Sequence, residues 1–221
     1  NKYSEGEQQA LANRFWLYTL PLLPLGLIGW VSGMADRYMI GALLTPADVG
    51  LYVAIYGLAS RPVGMLGGII ETTVRPAYQQ ALVEGNSTLA RSYLKKWALL
   101  VICGSCLAIA VAVVAHSWIA NLLLGSQYRG VSELLPWIVG GYSLLTLSHV
   151  ANRVCYANEA TQRIFVIETA GAVFAVVIGF FCILQKGLWG AAIAVPAYFG
   201  VQLILSYVLA RPWLDCERRA A

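Results

Sequence analysis

Apolar residues along this chain gather into long runs separated by short polar stretches. A helix that crosses a bilayer needs about 20 mostly apolar residues. Six stretches qualify, at roughly 15–44, 49–74, 93–115, 134–156, 164–184 and 188–209. The segments between them have turn and cap chemistry. TPAD at 45–48 joins the first two helices and can cap the second. VEGNSTLARSYLKK at 83–96 is a polar connection, and HSWIANLLLGSQYRG at 116–130 has room for a short interfacial helix. ANEATQR at 157–163 follows, and QKG at 185–187 fits only a tight antiparallel turn. The pattern predicts an all-α membrane protein, a single bundle of six transmembrane helices spanning 1–221.

Composition strengthens that reading. Of 221 residues, 59% are hydrophobic and 12% charged, against about 45–50% and 25% in a soluble domain. One buried core cannot absorb such an excess. The net charge of +4 is not gathered into a basic cluster interleaved with aromatics, so nucleic-acid binding has no support. Five cysteines lie mostly in apolar stretches, which argues against a disulfide framework. CGSC at 103–106 sits inside a predicted helix without the turn a redox pair requires. His116 and His149 fall on different helices and make no metal site. No catalytic triad order, nucleotide loop or carboxylate pair stands out, so neither an enzyme nor a bound cofactor is expected. The tryptophans lie mostly near helix ends, as belt residues do. The polar opening segment lacks a signal peptide's apolar core and begins with Asn1. It is read as belonging to a fragment, or to one half of a longer protein.

Lys and Arg placement orients the bundle, because cytoplasmic loops collect positive charge. With the N-terminus inside, Lys2, Arg14, Arg75, Arg91, Lys95, Lys96, Arg153, Arg163, Arg211, Arg218 and Arg219 fall on the cytoplasmic side. Only Arg37, Arg129 and Lys186 fall opposite, and Arg61 lies between. Both termini are expected inside.

Two helices carry polar stripes. Gly57, Arg61, Gly64, Gly68, Glu71 and Arg75 recur at steps of four and three, which places them on one helix face. Ionisable groups in a membrane face the bundle interior or a wet cavity, and glycines admit a neighbouring backbone or a large ligand. Pro62 is expected to kink the helix. Glu71 and Arg75 can pair at i,i+4, either as an ordinary ion pair at the mouth or as part of a site. Arg61 either lines a cavity or pairs with a carboxylate such as Asp36. On the fourth helix, Tyr142, Thr146, His149, Arg153 and Tyr156 share a face, flanked by Ser148 and Asn152. That stripe suits a sugar or a phosphate, since Arg binds phosphate bidentately; its other reading is interhelical hydrogen bonding. Gly26, Gly29, Gly33 and Asp36 form a third face, a close and bendable helix contact ending in an acid, with Arg37 turned to the outer interface. Glu168 is either a proton or sodium site or a partner of Arg163 or Arg153. Asp36, Glu71 and Glu168 are thus the candidate ion-coupling residues.

The stretch ADRYMIGALLTPADVGLYVAIYGLAS at 35–60 is more specific. Asp36-Arg37-Tyr38, Ile40-Gly41, Asp48 to Tyr52, Tyr56 and Leu58-Ala59 resemble the Wzx-type polysaccharide flippases. These belong to the superfamily of multidrug, oligosaccharidyl-lipid and polysaccharide exporters. The pattern is similar to the start of that family's second half, and GLWGAAIA at 187–194 resembles the opening of its last helix. The resemblance implies a C-terminal bundle of six helices whose partner is an N-terminal six-helix half, fused or separate. It implies transport of an undecaprenyl-pyrophosphate-linked sugar across a bacterial inner membrane, by alternating access, alongside polysaccharide assembly proteins. Arg61, Arg75, Arg153, His149 and Tyr142 are then the expected substrate-binding residues. Alternatives are a proton- or sodium-coupled drug or ion antiporter of the same superfamily, a membrane-embedded glycosyl or acyl transferase, and a scaffold subunit.

Overall fold

A computed structural model describes residues 9, 13, 15, 16 and 18–219, with backbone alone at 21 and 213–219. The described residues are helical and contain no strand. Five α-helices follow in order: α1 (Leu25–Leu43), α2 (Pro46–Val83), α3 (Ser87–Leu123), α4 (Leu135–Ala157) and α5 (Thr161–Arg219). Short 3-10 turns occupy Leu20–Leu22 and Ser126–Leu134. Four segments, 46–83, 87–123, 126–157 and 161–212, are long and apolar enough to cross a membrane, as in a multi-pass membrane protein.

The expected count of six independent helices is corrected to five. The pair expected at 164–184 and 188–209 forms one element, α5, folded back at Gly187. There φ is 58° and ψ is −133°, a region that only glycine enters freely. The two arms lie antiparallel: Arg163 Nη1 donates to the Leu209 carbonyl at 2.7 Å, and Gln202 Nε2 donates to Glu168 Oε2 at 3.1 Å. QKG is therefore the tight turn its length demanded. The span expected at 15–44 is also interrupted. The 3-10 turn and Pro24 precede α1, which has only 19 residues; prolines remove the donors that a continuous helix would need.

Other boundaries moved outward because caps, and not hydropathy, set them. Thr45 and Asp48 form a capping box: the Thr45 hydroxyl accepts from the Asp48 amide, and Asp48 Oδ2 accepts from the Thr45 amide. From that start α2 continues without interruption through Pro62 and Pro76 to Val83. The polar linker at 83–96 shrinks to a turn, in which Gly85 takes φ 70° and Asn86 Oδ1 accepts from the Leu89 amide. The far end of α3 is closed by Arg129, which donates to the carbonyls of Asn121 and Leu124; those groups have no intrahelical partner.

Two apolar clusters hold the bundle. One joins Ile40, Tyr52, Ile55, Ile138 and Val195; the other, at the end rich in Lys and Arg, joins Tyr78, Trp97, Val101, Val154 and Ile164. Trp97 is thus core and not a belt residue. The helix α4 passes through both clusters and packs on α2, α3 and α5. Outward-facing Leu99, Leu107 and Val114 on α3 remain exposed, as lipid contact requires.

Candidate functional site

At the basic end, α2 and α4 run parallel at close range. Their approach is set by Gly67, where a Cβ would overlap the Thr146 methyl. One further turn along, Glu71 Oε1 lies 2.5 Å from Arg153 Nη2 and 3.5 Å from Arg75 Nη1. One carboxylate thus serves two guanidinium groups and leaves the trio with one net positive charge. The Arg153 guanidinium also lies over the Tyr156 ring, 5.2 Å from its centroid, and its buried Nε has no hydrogen-bond partner among the described residues. A cavity of about 300 Å³ opens here, lined by Tyr18, Arg75, Tyr78, Gln79, Arg153, Tyr156 and Ala157. Guanidinium forks match phosphate oxygens bidentately, while phenol and amide groups match sugar hydroxyls. The arrangement can hold an anion joined to a polar body.

The remaining expected residues lie elsewhere. Arg61 is exposed and makes no ion pair among the described residues. It is ten residues from Glu71, about 15 Å along the axis, and Asp36 is not its partner. His149 is exposed and forms no hydrogen bond among the described residues. Tyr142 takes the interhelical reading: its hydroxyl lies 2.8 Å from that of Tyr56, and its ring packs edge-on against Tyr56 and Phe199. Asp36 Oδ2 accepts from the Tyr52 hydroxyl at 2.7 Å. Arg37 turns into the bundle instead of outward; its guanidinium stands 5.0 Å from the Tyr56 ring centroid and contacts the Met34 sulfur. Glu168 pairs with neither Arg163 nor Arg153. It accepts from Asn152 Nδ2 at 3.2 Å and from Gln202 Nε2 at 3.1 Å, bridging α4 to the second arm of α5.

The glycine seams differ from expectation as well. A Cβ at Gly26, Gly29, Gly33, Gly57, Gly64 or Gly68 would meet nothing within 4 Å. Those seams face open space, and on α2 the glycine that admits a neighbour is Gly67. Tyr78 and Gln79 are cavity residues that the sequence reading missed because it ended α2 near 74. Continuing the helix past Pro76 places 75, 78 and 79 at i, i+3 and i+4 on one face. No group of three or more His, Cys, Asp or Glu among the described residues could hold a metal.

A family of polysaccharide biosynthesis proteins matches residues 8–133. The match covers α1, α2 and α3, including Arg61, Glu71 and Arg75, and stops before Arg153. Among curated proteins and among solved structures, nothing matches the chain. With more than half of its length matched, the chain belongs to the polysaccharide biosynthesis protein family.

Proposed function

We propose that this chain helps to carry a lipid-linked oligosaccharide, an undecaprenyl-pyrophosphate sugar, across a bacterial inner membrane by alternating access. The observation that supports this most is the cavity between α2 and α4, where Arg75 and Arg153 share the single carboxylate of Glu71. The basic end faces the cytoplasm, and both termini lie on that side. A pyrophosphate entering there competes with Glu71 for the two guanidinium groups, and the tyrosines and Gln79 receive the sugar. The lipid tail stays in the bilayer. Arg61 forms a second station nearer the midplane on the open face of α2. That face and the open seam of α1 meet an N-terminal six-helix half, fused or separate. Polysaccharide assembly proteins take the product.

Asp36 and Glu168 lie inside the bundle with no cationic side chain within 4.0 Å among the described residues. Intramembrane carboxylates of this kind are coupling-site candidates, so proton or sodium coupling belongs to the same proposal. In the full-length protein, R75A/R153A stops surface polysaccharide from maturing while the amount of protein in the membrane holds. Normal polymer from that variant refutes the proposal.

A further inference from the structure

A second cavity, of about 570 Å³, lies between α3, α4 and the second arm of α5 at the basic end. Its walls are apolar: Ala98 of α3, Leu147 and Ala151 of α4, and Leu203 and Ile204 of α5. It opens sideways, for Ile204, Tyr207 and Val208 on its rim are exposed. Around α4 it stands about 140° from Arg153 and Tyr156, on another wall of the bundle from the α2–α4 cavity. Its mouth carries Arg91 and Lys95, one turn apart on the same face of α3. Neither has a carboxylate within 4.0 Å among the described residues. The amino end of α3, with its partial positive charge, begins one turn earlier at Ser87. From Arg91 to Ala98 the groove runs about 10 Å along α3.

Two unneutralised cations over a sideways-opening apolar trough match an amphiphile with an anionic head and a long chain. We propose that this groove binds an anionic phospholipid of the surrounding leaflet, its phosphate against Arg91 and Lys95 and one acyl chain along Ala98, Leu147 and Leu203. The oligosaccharide carrier is the poorer occupant. Apart from the two cations and the Tyr207 hydroxyl, no polar side chain among the described residues lines the groove to receive a sugar. Basic pockets between transmembrane helices at the cytoplasmic side hold lipid phosphates in this way. The inference needs the basic end to lie at the headgroup level, and it is independent of what the α2–α4 cavity carries.

The test uses full-length protein, delipidated in mild detergent and offered phosphatidylglycerol, phosphatidylcholine or undecaprenyl phosphate, with bound lipid read by native mass spectrometry. Two cations at about 1 kcal/mol each correspond to roughly 10- to 30-fold retention of phosphatidylglycerol over phosphatidylcholine. R91A/K95A removes that preference, A151W removes both lipids, and R75A/R153A changes neither. Gel filtration and helical circular dichroism establish folding, and R91A/K95A decides the matter if A151W misfolds. Equal retention of the two phospholipids, or a preference that survives R91A/K95A, overturns the proposal. Undecaprenyl phosphate displacing phosphatidylglycerol in an A151W-sensitive way also overturns it, and assigns the groove to the carrier's tail.

Discussion

Glu71→Gln removes the charge that ties α2 to α4, and its effect can be worked from the geometry. Cutting one partner from a fully buried ion pair costs about 3–5 kcal/mol; from an exposed pair the cost is at most about 1 kcal/mol. The Glu71 and Arg153 side chains are 20% and 25% exposed at 2.5 Å separation, which lies between those limits. The expected loss is about 2 kcal/mol. Arg75 is 46% exposed and 3.5 Å away, so its own contribution is under about 1 kcal/mol. For a chain of this size, 1 kcal/mol corresponds to about 2–4 °C in Tm. E71Q and R153Q should therefore each lower Tm by about 4–8 °C, while R75Q lowers it by less than about 4 °C. The assay is thermal unfolding of the detergent-solubilised full-length protein, followed by helical circular dichroism. The double variant E71Q/R153Q should lose no more than either single change, since both remove the same contact. Additive losses would refute the pairing.

Other substitutions probe separate contacts. Gly67→Ala drives a methyl into the Thr146 side chain and should cost about 1–3 kcal/mol; T146S, which deletes the obstructing methyl, should restore Tm, while G64A and G68A leave it unchanged. Gly187→Ala places a Cβ at φ 58° and ψ −133° and should cost about 1–3 kcal/mol, seen as earlier thermal unfolding. Glu168→Leu strips the acceptor from two amides, with a loss of about 1–3 kcal/mol for each. Glu168→Gln should lose under about 1.5 kcal/mol, because its new amide can donate to Asn152 Oδ1, which has no hydrogen-bond partner among the described residues.

Much of the architecture was legible because it is written in local chemistry. Hydropathy placed the apolar runs, the TPAD segment announced the start of α2, and QKG located the turn at Gly187. The face shared by Tyr142, Thr146 and Arg153 was correctly read as one side of a helix. What it faced was not legible. Arg153 meets Glu71 where Gly67 leaves room for the Thr146 side chain between α2 and α4, and Gly67 lies off the spacing that linked the charged residues. Arg37 could be assigned an outward direction from its place near a helix end; the Tyr56 ring that holds it comes from another helix. The same holds for Glu168, whose two amide partners lie 16 and 34 residues away. Helix ends failed where hydropathy alone set them: the apolar run closes near 74, while α2 carries Pro76 inside it and runs on to Val83. The cavity residues Tyr78 and Gln79 were lost with that boundary.

Binding of an undecaprenyl-pyrophosphate-linked sugar to the purified full-length protein tests the central claim most directly, with R75A/R153A measured beside it. Each lost guanidinium contact to phosphate is worth about 1.5–3 kcal/mol, so the double variant should bind at least about 100-fold more weakly. Equal affinity in the two proteins would contradict the account.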